Sequence, residues 1–181
     1  APKDGNELKD LLYTAISEKK PFSIRYPKEN CETYNREIEA KILPIGKWEE
    51  LIPGKDIAVL AVGSMVEICK KAIKMGSITC SDRITLINSR FIKPLDESML
   101  NKIGREYKYI ITFEEGSEIG GFGDSILRYY SFRESSVKIF SKGIGDAFAG
   151  QGTRQELLST SGLDEKGVSN FINSIIKENE K

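Results

Sequence analysis

Two cations near the start of the chain, Arg25 and Lys28 in Arg25-Tyr26-Pro27-Lys28, stand where a short apolar run ends at a proline. Ligands of open α/β sheets bind beyond the carboxyl ends of strands. The pair could hold a phosphate there, arginine through its planar fork and lysine as a point charge. The plain alternative is two solvated charges at a domain edge. Gly120-Gly121-Phe122-Gly123 precedes a helical pattern. Backbone N–H groups at a helix start can cradle an anion. Neither the GxGxxG pattern of dinucleotide sites nor the P-loop is met, however, and Glu114, Glu115 and Glu118 just upstream would repel a phosphate. A tight turn that lets the helix approach the sheet, or a neighbouring subunit, is the better reading. Glu114 and Glu115 could act as acid and base if their pKa values separated. Adjacent residues at a strand end point apart, which favours structural or interface roles.

Gly123-Asp124-Ser125 and Gly145-Asp146-Ala147 echo the GDG…N pattern that binds magnesium and diphosphate in thiamine enzymes, with Asn170 and Asn173 at a tempting distance. The third glycine is absent from both, and the asparagines fall inside an amphipathic helical pattern, so the echo is rejected. The chain has no histidine. That removes the side chain most used for proton transfer near neutral pH, and with it triads and imidazole metal sites. Lysine plus arginine and aspartate plus glutamate both number 27, giving a net charge of zero. A nucleic-acid surface would need a basic excess. Three cysteines, Cys31, Cys69 and Cys80, form no CxxC pair; the pattern reads as reduced thiols in an intracellular, cytoplasmic protein rather than as a disulfide framework or zinc site. No apolar run approaches the ~20 residues of a membrane span, and no secretory signal opens the chain. It opens at Ala1, in charged, helix-like sequence, as a fragment would.

The elements that must position these residues follow from periodicity. Leu8, Leu11, Leu12, Ala15 and Ile16 form one stripe of a helix over 6–17. Phe22 to Tyr26 reads as a strand, and 28–43 as a polar, aperiodic linker. Residues 46–51 suit an edge strand. The continuous apolar run 57–62 suits a strand buried on both faces. Ser64 with Glu67, and Thr153 with Glu156, have the spacing of capping boxes. Further strands at 84–88, 109–113 and 137–140 alternate with helices after 64, 94, 120, 153 and 164. This rhythm predicts a three-layer αβα fold on a mostly parallel five-stranded sheet. Residues 45–181 are assigned to it, 31–44 to a linker, and 1–30 to the tail of a preceding domain. Such a tail is expected to pack on a neighbouring molecule, to cling to the α/β domain, or to move freely.

Several strings, in order over nearly the whole chain, resemble the C-terminal third of the 1-deoxy-D-xylulose-5-phosphate synthases, thiamine-diphosphate enzymes of transketolase type. They are APKDGNELKDLLYTAI, PFSIRYPKEN, LPIGKWEELIPGKDIAVLAVGSM, INSRFIKPLDE, TFEEGSEIGGFG and QGTRQELLSTSGLDEKGV. The resemblance implies a transketolase C-terminal domain over 45–181 and a helix-strand remnant of the pyrimidine-binding domain over 1–30. It implies a whole enzyme that uses thiamine diphosphate and Mg2+ to join decarboxylated pyruvate to glyceraldehyde 3-phosphate, for isoprenoid, thiamine and pyridoxal synthesis. The cofactor and metal residues would lie upstream, leaving this piece without cofactor or activity of its own. The implied partners are the upstream domains of the same chain and a second copy in a homodimer. Of the family's functional residues, the second arginine of its RYPRG string, which contacts the sugar phosphate, aligns with Lys28, and Arg25 aligns with the first. The glycine that follows in the family is Glu29 here, an acid that weakens phosphate binding. A transketolase, a 2-oxoacid dehydrogenase E1 β chain or a stand-alone assembly module are the alternative parents.

Overall fold

The computed structural model describes residues 1–30, 33–148 and 150–179. Along them run α1 (Gly5–Glu18), β1 (Glu49–Ile52), β2 (Ile57–Ala61), α2 (Met65–Lys74), β3 (Ile84–Asn88), α3 (Glu97–Glu106), β4 (Tyr109–Ser117), α4 (Phe122–Ser131), β5 (Lys138–Ile144), α5 (Arg154–Thr160) and α6 (Glu165–Asn179). The strands form one sheet in the order β1-β3-β2-β4-β5. β3, β2, β4 and β5 run parallel, and β1 closes one edge antiparallel to β3. The expected mostly parallel, five-stranded, three-layer fold is therefore found.

Alternation along β2 assigns the two layers. Ile57, Val59 and Ala61 face a cluster with Met65, Cys69 and Ala72 of α2, Leu158 of α5 and Val168 and Ile172 of α6. Ala58 and Leu60 face the other, with Leu11 of α1, Leu100 and Ile103 of α3, and Phe122 and Ile126 of α4. Cover on both faces is why β2 and β3 are buried along their whole length and why they read as unbroken apolar runs. Cys69 lies in the first cluster as a free thiol and Cys80 is an exposed one; Cys31 falls outside the described residues.

Three local expectations change. Phe22 to Tyr26 forms no strand. A ladder needs a neighbouring strand, and among the described residues none lies beside it. Its apolar side chains are used all the same: Phe22 and Ile24 pack on the second cluster, with Phe22 edge-on to Phe91 at 6.3 Å between centroids. The α1 stripe is also turned. Leu12 and Ile16 are exposed, while Glu7, Asp10, Leu11 and Thr14 face inward. α1 thus clings to the α/β domain by a largely polar face. Residues 33–43 run beside it, with the Lys41 N–H donating to Asp10 Oδ1 (3.0 Å) and the Leu43 N–H to Thr14 Oγ1 (2.9 Å). Ser64 does not cap α2; its backbone is already helical and its hydroxyl is engaged elsewhere. The Thr153–Glu156 capping box forms as expected.

Asp96 shows why the RFIKPLDE string holds together. Its buried carboxylate caps α3 through the Met99 N–H (3.1 Å) and accepts from the Trp48 N–H (3.0 Å) and Lys47 Nζ (3.2 Å), tying α3 to β1. Burial pushes its pKa up, but the bonds from Ser98, Trp48, Met99 and Lys47 outweigh that and hold it below the usual aspartate value. A depressed carboxylate contributes stability that is present above its unfolded pKa and lost as pH falls through the folded one. Asp96→Ala is expected to lower the unfolding free energy, read from urea midpoints, by about 1–2 kcal/mol at neutral pH, with the gap to the wild type narrowing as pH drops below the ordinary aspartate value.

Candidate functional site

The carboxyl ends of the parallel strands are where an open sheet offers a crevice, at the point where successive connections leave to opposite sides. In this order that point lies between β2 and β4. A small cleft of about 130 Å³ is found there, lined by Ala1, Arg25, Tyr26, Pro27, Val62, Gly63, Ser64 and Glu115. Arg25 is thus brought to the crevice by the irregular segment that was expected as a strand. Lys28 is exposed. Arg25 and Lys28 therefore share one short segment at the sheet's carboxyl edge.

Glu114 and Glu115 point apart, as adjacent strand residues should. Glu114 is buried and reaches the N-terminus of α4, where the Gly123 N–H donates to its Oε1 (3.0 Å). The protein's own carboxylate therefore sits where the glycine-rich start could have cradled an external anion. The glycines permit this. Gly120 has φ +74, and a Cβ on Gly123 would meet Ser141 Cβ at 2.6 Å and Thr112 Oγ1 at 2.9 Å, so α4 lies close on the sheet. Gly116 likewise leaves room beside Glu114: its missing Cβ would stand 2.5 Å from Glu114 Oε2 and 3.4 Å from Arg25 Nη1.

Burial raises the Glu114 pKa; bonds from the Gly123 and Phe122 N–H groups and the nearby Arg25 charge oppose the rise without cancelling it. The folded chain therefore holds this proton more tightly than the unfolded chain. The contribution of Glu114 to stability falls as pH rises from the ordinary glutamate value to the raised one, then levels off. Glu114→Gln is expected to lose that decline. Urea midpoints of both proteins from acid to neutral pH check it; parallel curves would contradict it.

Glu115 joins a network that local sequence patterns do not reveal. It accepts from the Ser64 hydroxyl and from Arg154, whose Nε lies 3.0 Å from Glu115 Oε2 and whose Nη2 meets Oε1. Arg154 Nη1 also donates to Glu29 at 2.7 Å. Ser64, Glu115, Arg154 and Glu29 thus form one chain across the carboxyl edge. A larger cleft of about 420 Å³ opens beside it, between the ends of β4 and β5, lined by Glu115, Ser117, Asp146 and Phe148 among others.

The first glycine-aspartate echo and one of the tempting asparagines serve the fold. Asp124 accepts from the Gly120 N–H, and Asn173 on α6 bonds the Thr79 N–H and the Ser77 carbonyl. Among the described residues no group of three His, Cys, Asp or Glu could hold a metal ion. With the α4 N-terminus filled by Glu114, these residues do not fit a magnesium–diphosphate group. No helix among them is long and apolar enough to cross a membrane.

A five-stranded, mostly parallel sheet between two helical layers, with an antiparallel edge strand, defines the class, and comparison with known proteins specifies it. The transketolase C-terminal domain family matches residues 46–168, and the chain belongs to that family. It is similar to the 1-deoxy-D-xylulose-5-phosphate synthase of Aquifex aeolicus, 36% identical over 181 residues that make up 98% of this chain and 28% of that protein. The synthase of Dehalococcoides mccartyi is 37% identical over 179 residues, 97% of this chain and 28% of its own length. The chain thus spans a little over a quarter of these relatives. Their matches run through the first 45 residues as well, in line with the resemblance carried by the quoted strings. Among solved structures, one described as a split gene transketolase, inactive beta4 tetramer, superposes with a TM-score of 0.81 at 25% identity, covering 97% of this chain and 56% of that one. A transketolase from Pichia stipitis shares the fold, with a TM-score of 0.51 at 18% identity over 74% of this chain and 19% of its own.

Proposed function

We propose that this chain is the C-terminal part of a 1-deoxy-D-xylulose-5-phosphate synthase. The whole enzyme would condense pyruvate with glyceraldehyde 3-phosphate, with loss of CO2, using thiamine diphosphate and Mg2+ bound by upstream domains in the cytoplasm. The observation that carries this reading is the similarity to synthases along almost this entire chain and little more than a quarter of theirs. On this reading residues 1–30 end the pyrimidine-binding domain, 31–44 link, and 45–181 form the C-terminal domain. The exposed apolar edge of α1, with Leu12 and Ile16 in solvent, supports an upstream domain of the same polypeptide as its cover. The chain's role is then structural and dimer-forming, without activity alone. Support for self-assembly comes from the split-gene neighbour, a related chain described as an inactive tetramer. Lys28, with Arg25, is assigned to the sugar phosphate.

The experiment compares this chain with the full polypeptide of its gene. Both receive thiamine diphosphate, Mg2+, pyruvate and glyceraldehyde 3-phosphate, and 1-deoxyxylulose 5-phosphate is measured. Turnover is expected from the full polypeptide and none from the chain alone. Turnover by the chain alone, or a full polypeptide that makes another product, would overturn the reading. Light scattering on the full polypeptide tests the dimer.

A further inference from the structure

We infer that Arg154 is a positioning residue: by gripping Glu29 it fixes the Arg25–Glu29 strap on the carboxyl edge of the sheet and offsets part of the charge of the acid beside Lys28. The inference rests on the assignment of Lys28 and Arg25 to a phosphate for its second half only. Among the described residues, no backbone hydrogen bond holds residues 25–29. An exposed segment without a ladder is held by its side chains or not at all. The side-chain bond found for this strap is Glu29 to Arg154, 2.7 Å across 125 residues of sequence. Arg154 is itself held, since the other side of its guanidinium lies on Glu115 at the end of β4, and Glu115 in turn accepts from Ser64 after β2. One rigid planar fork therefore joins the strap to the two strand ends that flank the crevice.

The charges point the same way. Glu29 follows Lys28 directly, and left unpaired it would oppose any anion that Lys28 attracts. Paired with Arg154, which it shares with Glu115, it opposes that anion less. Lys28 forms no hydrogen bond or ion pair among the described residues and is exposed, so its charge stays available. Glu29, which in sequence counts against phosphate binding, becomes the handle by which the strap is placed.

NMR relaxation and titration with inorganic phosphate test both halves on this chain. In the wild type, backbone order parameters at Tyr26, Lys28 and Glu29 are expected near the rigid value of about 0.85, falling below about 0.6 in Arg154→Gln. Phosphate binding is expected to weaken about three- to tenfold in the same variant. Adding Glu29→Gln to Arg154→Gln should restore most of that affinity by removing the unpaired acid, while the strap stays mobile. A purely structural role would not give this recovery. Unchanged order parameters in Arg154→Gln would overturn the positioning role, and a double variant as weak as Arg154→Gln would overturn the charge role. Absence of phosphate shifts in the wild type would instead retire Lys28 and Arg25 as a phosphate site and with it the charge role, leaving the order parameters to judge Arg154.

Discussion

Glu7→Leu is expected to destabilise the chain by about 3–5 kcal/mol, because it strips a buried cation of the more buried of its two counter-charges. Glu7 is almost fully buried on α1. It accepts from the Lys3 N–H at 2.7 Å and from Asn88 Nδ2 at 2.8 Å, and its Oε1 lies 3.0 Å from Arg90 Nε. That last approach is a charge contact without hydrogen-bond alignment, since Arg90 Nε has no bonded partner among the described residues. Lys3 and Arg90 also share Glu49 of β1. Leucine fills the same space but leaves the Lys3 N–H without its acceptor and one edge of the guanidinium against hydrocarbon, with Glu49 alone left to hold Arg90 Nη2 and Asn88 Nδ2. The loss should appear as a lower urea midpoint with an unchanged m-value. Glu7→Leu combined with Arg90→Met removes both charges and should recover much of the loss. Glu49 adds a pH signature. Burial raises its pKa, but the bond and charge of Lys3 and the charge of Arg90 win and hold it low. Its contribution is present above the ordinary glutamate value and fades as pH falls through the depressed one. A cost for Glu7→Leu under about 1 kcal/mol would mean that Glu49 alone satisfies Arg90.

The same network shows what sequence could and could not reveal. Residues 57–62 were legible as a central parallel strand because both faces are covered and every position is apolar. The Thr153–Glu156 box was legible because both partners lie within four residues. The inward face of α1 was not. Periodicity finds the apolar edge of a helix, but here a polar edge is buried by pairing with Asn88 and Arg90, the nearer of them 81 positions away. Ser64 had the local signature of a cap and instead bonds Glu115, 51 residues on. Arg154 carried no signal at all, because its meaning depends on Glu29 and Glu115 arriving together. Phe22 to Tyr26 had a strand's composition but no strand beside it among the described residues. The fold was thus readable wherever neighbours in sequence are neighbours in space, and the Glu115–Arg154–Glu29 network was hidden because it is assembled from strand ends and loops far apart in sequence.

Gly121→Ala is expected to be the most damaging exchange in the glycine-rich start of α4. Its backbone, at φ −82 and ψ −162, suits any residue, so conformational strain is not the cause. Space is. An added Cβ would stand 2.2 Å from the Ser117 carbonyl oxygen and 2.5 Å from Glu114 Oε1. The carbonyl belongs to the end of β4 and cannot swing aside as a side-chain tip can. Overpacking of this kind costs about 1–3 kcal/mol. The Glu114 carboxylate, pushed off the α4 N-terminus, would lose the Gly123 N–H bond, and leaving it buried without that partner costs roughly another 1–3 kcal/mol. Gly145→Ala is the control, for nothing among the described residues lies within 4 Å of its missing Cβ and its φ is not positive. That exchange should stay within about 0.5 kcal/mol of the wild type. Urea midpoints decide it: equal losses in Gly121→Ala and Gly145→Ala would mean that α4 can slide away from β4, and that Glu114 does not depend on the contact.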